Sequence, residues 1–266
     1  IKSFKKLGAR NLNSHKGTHG KLLCVGGNEG TAGAIRLTSE AALRAGAGMV
    51  KVYTHSSSVV PVSIGRPELM VSSDNLQQAL EWASSVVIGP GLGQDEWAQQ
   101  TFNEVMQFCQ NNKMPLVIDA DALNLLAKQA SSYTLKQCVL TPHPGEASRL
   151  LSVTTQEIES NRFENARLCA KRYNAICVLK GAGTLIDNAE NMWVCKDGNP
   201  ALAVGGSGDV LTGIIGALLA QGLNIDEAAR YGVTLHAKAG DIASERDGQR
   251  GMLPSDLFSI VRQLLN

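Results

Sequence analysis

The sequence lacks the features of a membrane-spanning, nucleic-acid-binding or disulfide-stapled chain. No run of ~18 or more apolar residues appears, so no helix long enough to cross a bilayer is expected. The N-terminus has no apolar core followed by a cleavage site, and no secretory signal is read there. Charge is balanced at a formal +1, and Lys5–Lys6 is too short to count as a basic block. That balance argues against nucleic acid as a main partner. The six cysteines (Cys24, Cys109, Cys138, Cys169, Cys177 and Cys195) form no CxxC pair. They read as buried, reduced thiols of a cytoplasmic protein, not as zinc ligands or disulfides. Repeats, low-complexity tracts and breaks in composition are also missing, so residues 1–266 are read as one domain.

What is present is apolar bulk, 44% of the residues, laid out in short continuous runs. Strands are expected at 21–25, 49–53, 86–88, 115–118, 138–141 and 176–180. Helical spacing separates them at 35–45, 76–83, 95–111 and 122–128, and again at 155–173. Helices at 225–244 and 254–265 close the chain, while 184–187 and 192–195 read as a hairpin. Pro61 and Pro67 make 55–73 look irregular. Strands that are apolar throughout are buried on both faces, which implies an α/β architecture with a mainly parallel sheet between helical layers.

In such sheets ligands bind beyond the carboxyl ends of the strands. The segments expected there are GGNEGTAGA (26–34), GPGLG (89–93), DADALN (119–124), TPHPGE (141–146), KGAGT (180–184) and VGGSGD (204–209). The first is no dinucleotide fingerprint, because it does not read GxGxxG and no acid closes the second strand. It reads as a tight strand-to-helix turn with room for a ligand near Gly33 and Ala34. The last opens an apolar helix with Gly205, Gly206, Ser207 and Gly208, whose backbone N–H groups and helix dipole suit an anion. Asp209 follows, either as an ordinary first-turn acid or as a base acting on a group about to meet a phosphate.

The other polar residues carry paired readings. Lys180 is a snorkelling strand-end lysine or a neutraliser of phosphate charge, with Thr184 adding a hydroxyl. His143, fixed between prolines, is structural or donates a hydrogen bond to a ligand. Glu146 favours a helix start or serves magnesium through water. One of Asp119 and Asp121 is expected to cap the helix carrying Asn124, itself a hydrogen-bonding candidate for substrate or phosphate. His15 and His19 are loop residues placed to touch substrate or a neighbouring subunit, and His236 is expected to be packed in a helix.

Together HKGTHG, GTAGA, GPGLG, DADALN, TPHPGE, LKGAGT and GGSGDVLTG, spread in order over residues 15–213, resemble the ADP- or ATP-dependent NAD(P)H-hydrate dehydratases of the ribokinase-like superfamily. The resemblance implies a three-layer sandwich that returns the S-epimer of hydrated NADH or NADPH to the working cofactor, consuming ADP or ATP. By it, Ala34, Gly91 or Gly93, His143 and Asp209 contact the hydrated cofactor. Lys180, Gly181, Ala182, Gly183 and Thr184 hold the adenine nucleotide together with the 205–208 loop. Asp209 takes the proton of the substrate hydroxyl as that oxygen attacks the terminal phosphate; the phosphorylated oxygen then leaves, pushed by the ring nitrogen. Magnesium, a homotetramer and, in many bacterial members, an N-terminal epimerase domain also belong to the pattern. A small-molecule kinase of the same fold, for hydroxyethylthiazole or hydroxymethylpyrimidine, shares the anion loop and Asp209; the TPHPGE and HKGT-type segments favour the dehydratase.

Overall fold

The computed structural model describes residues 7–8, 10, 12–129, 133 and 135–266. The Lys5–Lys6 pair and part of the loop read between the helix at 122–128 and the strand at 138–141 lie outside the described residues. The chain begins with β1 (Lys21–Val25), α1 (Ala32–Arg44), β2 (Met49–Tyr53), α2 (Val59–Ser63), β3 (Leu69–Ser72), α3 (Leu76–Trp82) and β4 (Ser85–Ile88). Next come α4 (Glu96–Asn112), β5 (Leu116–Ile118), α5 (Ala120–Lys128), β6 (Cys138–Leu140), α6 (Pro144–Leu151), α7 (Thr155–Ser160), α8 (Arg162–Tyr173) and β7 (Ile176–Leu179). The end of the chain is β8 (Leu185–Asp187), β9 (Met192–Val194), α9 (Ser207–Ala220), α10 (Ile225–Asp247) and α11 (Leu257–Leu264).

These strands form one nine-stranded sheet in the order β3-β2-β1-β4-β5-β6-β7-β8-β9. Pairing is parallel from β3 through β7 and antiparallel only at β7–β8 and β8–β9, the expected hairpin. Successive strand residues point to opposite faces. Leu22 and Cys24 therefore join a core with α1, α9, α10 and α11, while Leu23 and Val25 join one with α3, α4, α5 and α8. Burial of each such side chain contributes roughly 1.5–3 kcal/mol, so the two cores hold the helical layers on the sheet. All six cysteines are buried and unpaired. No helix among the described residues is long and apolar enough to cross a membrane.

The segment 55–73 is more regular than expected, holding α2 and β3. Pro61 fits the first turn of α2, and Pro67 precedes β3 without interrupting it. β3 is an edge strand of mixed burial, and its apolar run, Leu69–Val71, is short and follows directly on the Pro67 segment that reads as irregular. The helix expected at 155–173 breaks at Asn161, whose backbone leaves the helical region at φ −134° and ψ 48°. Asn165 supports the break by donating its side-chain amide to the Glu157 and Asn161 carbonyls at 3.0 and 3.1 Å. The lead into GGSGD is a 3-10 turn over Pro200–Leu202, not a strand end, so that loop reaches the site from the helical layer.

Candidate active site

The carboxyl ends of β5, β6 and β7 meet the first turn of α9, and there most of the candidate polar side chains converge. The order follows from the sheet, since neighbouring parallel strands deliver their following loops to one edge. Lys180, just past β7, sets its Nζ 2.9 Å from Asp119 Oδ1 and 3.7 Å from Glu146 Oε2. A Cβ on Gly208 would stand 3.2 Å from that Nζ, so the glycine leaves the ammonium next to the helix start. Burial alone would lower the Lys180 pKa, but the nearby charges of Asp119 and Glu146 outweigh it and raise it. The ammonium is thus held by two acids and not snorkelled to solvent.

Asp119 is 1% exposed and makes no side-chain cap to α5. Its other oxygen, Oδ2, accepts from the Thr212 hydroxyl of α9 at 2.7 Å. Asp121 accepts from the Gly93 N–H at 2.9 Å. The expected cap is therefore absent from Asp119: its carboxylate is spent on Lys180 and Thr212, stronger partners for a buried charge than one amide.

Asp209 lies close enough to feel this cluster. Burial, then the neighbouring Asp119 charge, push its carboxyl pKa up to about 7, against the opposing pull of Lys180. Burial likewise raises the pKa of Glu146, partly offset by Lys180. A buried aspartate titrating near neutrality has the basicity a general base needs.

His143 and Glu146 cap α6 reciprocally. His143 Nδ1 accepts from the Gly145 N–H at 3.0 Å, while Glu146 Oε2 accepts from the His143 N–H at 2.7 Å. Half-buried beside Lys180, His143 has its pKa lowered, first by burial and then by that charge. With Nδ1 occupied, Nε2 is the ring nitrogen left for a ligand, and it stands 3.4 Å from Glu146 Oε1. His236 is packed as expected: it is 8% exposed, its Nε2 is 3.2 Å from Ser207 Oγ, and burial lowers its pKa to about 4.

The remaining candidates divide. Gly206 opens α9 at φ +91°, where a Cβ would come within 2.6 Å of Leu37, and Gly205 faces open space. Ala34 is in the first turn of α1, beside an equally open Gly33. Gly91 and Gly93 have scaffold duties: the Gly91 carbonyl accepts from the Asn28 N–H at 2.6 Å and the Thr31 hydroxyl at 2.7 Å. Asn124 Oδ1 is already taken by Arg149 Nε at 2.6 Å. His15 and His19 precede β1, at the opposite end of the sheet, where His15 caps a 3-10 turn and His19 meets Ser14 Oγ at 3.0 Å. They do not approach the site within this chain. A groove of about 680 Å³ lined by Gln77, Glu104 and Phe108 holds none of the candidate residues. Among the described residues no three His, Cys, Asp or Glu side chains converge as a metal-binding group.

Sequence reasoning missed Thr212 and the partner of Lys180. Thr212 stands three residues after Asp209 and so shares its helix face, a spacing that could have flagged it.

A three-layer sheet with a glycine-rich helix start at its carboxyl edge, beside a buried acid, defines a ribokinase-like protein. A family described as NAD(P)H-hydrate dehydratase matches residues 22–263, and the chain belongs to that family. It is 49% identical to the bifunctional NAD(P)H-hydrate repair enzyme of Escherichia coli over 97% of this chain and 50% of that one. The chain thus spans about half the length of such curated relatives. It is 38% identical to the ADP-dependent (S)-NAD(P)H-hydrate dehydratase of Neisseria meningitidis, covering 97% of this chain and 89% of the relative. The ADP/ATP-dependent NAD(P)H-hydrate dehydratase of Bacillus subtilis, co-crystallised with ATP and Mg2+, superposes with a TM-score of 0.85 at 30% identity, covering 97% and 93% of the two chains.

Proposed function

We propose that this chain dehydrates the S-epimer of hydrated NADH or NADPH, consuming ADP or ATP and yielding AMP or ADP, phosphate and the restored cofactor. The observation that carries this reading is the dehydratase family match over residues 22–263, and Asp209, whose pKa burial raises to about 7 at the glycine-rich helix start beside the Lys180 ammonium, fits the proton transfer it requires. Hydroxide leaves a ring poorly; phosphate leaves well. Asp209 accepts the proton of the substrate hydroxyl as that oxygen attacks the terminal phosphorus of the nucleotide, and the bond to the bridging oxygen breaks. Lys180 and the Gly205, Gly206 and Gly208 amides at the start of α9 stabilise charge on the group in transfer, the Ser207 N–H being taken by the Val204 carbonyl at 3.2 Å. The ring-nitrogen lone pair then expels phosphate, and loss of a ring proton restores the dihydronicotinamide.

Ala34, Gly91, Gly93 and His143 are assigned to the hydrated cofactor, and Lys180 through Thr184 with Gly205–Gly208 to the nucleotide. Magnesium needs only one or two carboxylates when phosphates and water fill its shell, and Glu146 supplies a hard oxygen donor of that kind, reached through water. Bound there, it would neutralise phosphate charge. The continuous sheet supports reading 1–266 as one catalytic domain, and six unpaired thiols fit a reducing cytoplasm. A homotetramer, and an epimerase domain or separate epimerase acting alongside, complete the proposal.

The test is to incubate the protein with hydrated NADH, ADP and Mg2+ and follow the reduced-nicotinamide absorbance. Recovery of the band with release of AMP and phosphate is expected. Phosphorylation of hydroxyethylthiazole or hydroxymethylpyrimidine without that recovery would refute the reading.

A further inference from the structure

Arg162, the first residue of α8, is a cation with only a loose acidic partner. Its Nη1 is 3.5 Å from Glu159 Oε2, on a side chain 53% exposed, while the Arg162 side chain is 17% exposed. The guanidinium lies instead against the 179–183 loop. Its Nη2 reaches the carbonyl oxygens of Leu179 and Lys180 at 3.4 Å each and of Gly183 at 3.5 Å, and Nη1 reaches the Lys180 oxygen at 3.4 Å. Each contact is long. Gathered on one planar cation, they fix which way the peptides after Leu179, Lys180 and Gly183 face.

A trans peptide carries its N–H opposite its C=O. With the Lys180 and Gly183 carbonyls turned toward Arg162, the Gly181 and Thr184 N–H groups point away from it. Those donors are also unspent: among the described residues no acceptor pairs with the backbone N–H of residues 181–184. The conformation depends on glycine, since Gly181 has φ +142° and a Cβ there would fall 2.6 Å from Arg162 Nη1. Gly183 likewise has φ +68°. Successive free amides in such a turn make an anion-binding concavity.

We infer that Arg162 is a positioning residue for the nucleotide's phosphates, turning the Gly181 and Thr184 amides away from itself and adding positive charge behind the loop. The inference rests on the proposed function for the identity of the anion, a nucleoside di- or triphosphate. It assigns a role in ground-state phosphate binding, separate from the proton transfer at Asp209.

The test compares wild type, Arg162→Met and Arg162→Lys by calorimetric titration with ADP and with adenosine, which lacks the phosphates, and by the KM values for ADP and hydrated NADH. Arg162→Met should weaken ADP binding roughly tenfold and raise its KM alike, leaving adenosine affinity and the KM for hydrated NADH unchanged. Arg162→Lys, keeping the charge without the planar fork, should fall between the two and guards against misfolding of the methionine variant. Unchanged ADP binding in both variants would overturn the inference, as would equal losses for ADP and adenosine, or a wild type that binds no ADP. A wild type that binds ADP in this Arg162-dependent way yet restores no NADH would sink the proposed function and leave the inference standing.

Discussion

The two halves of the sheet's carboxyl edge are held together by different means. At β1 and β4 the loops are laced by hydrogen bonds without a buried ion pair among the described residues: Gly27 N–H to the Pro90 carbonyl at 3.0 Å, Asn28 N–H to Gly91, the Asn28 amide to the Leu92 carbonyl and the Asp95 carboxylate at 3.1 and 2.8 Å, and Gly93 N–H to Asp121 at 2.9 Å. At β5, β6 and β7 the same edge is held by buried charge, with Lys180 between Asp119 and Glu146 and Asp209 nearby, only partly offset by Lys180. Lacing by hydrogen bonds gives shape at little electrostatic cost. Buried charge gives reactivity and makes that half sensitive to pH.

The largest effect that would break this contrast is on turnover. Asp209→Asn should lower kcat by ~10² or more in the hydrated-NADH assay while ADP binding is largely retained. The same variant should gain stability. Folding holds Asp209 protonated up to about pH 7, whereas an unfolded aspartate ionises near pH ~4. Between those values the folded wild type binds more protons than the unfolded chain, so its stability falls as pH rises. Denaturant midpoints should show the variant's advantage growing through that window and level above it.

Lys180→Met comes next. It strands Asp119, whose side chain is 2% exposed, with only the Thr212 hydroxyl. Breaking such a buried pair should cost about 3–5 kcal/mol at neutral pH, measured by urea unfolding.

The smallest effect probes the hydrogen-bonded half. Asn28→Ala removes bonds to Leu92 and Asp95 at 3.1 and 2.8 Å and should cost about 1–2 kcal/mol. If the contrast holds, urea midpoints should show that cost constant from pH ~5 to ~8.

The same division governs what could be read from the sequence. Strands such as Lys21–Val25 and Met49–Tyr53 were legible because central parallel strands are apolar throughout or nearly so. The edge strand Leu69–Ser72 was hidden by mixed burial behind Pro67, and α6 by its start inside TPHPGE. Asp209 was marked by the glycines before it. The duty of Asp119 was not, because an aspartate at a helix start reads as a cap until the fold brings Lys180 to it from 61 residues away. Arg162 carried no local signal, its target loop lying 17 to 21 residues downstream.

Asp209 as a base tuned by its neighbours is the central claim, and the pH dependence of kcat for wild type beside Asp119→Asn tests it most directly. The wild-type rate should rise through a midpoint at about 7, where Asp209 loses its proton. Removing the Asp119 charge, which raises that pKa, should move the midpoint to lower pH whatever it does to the maximal rate. A wild-type profile flat through neutrality, or a midpoint that stays put in the Asp119 variant, would contradict the account.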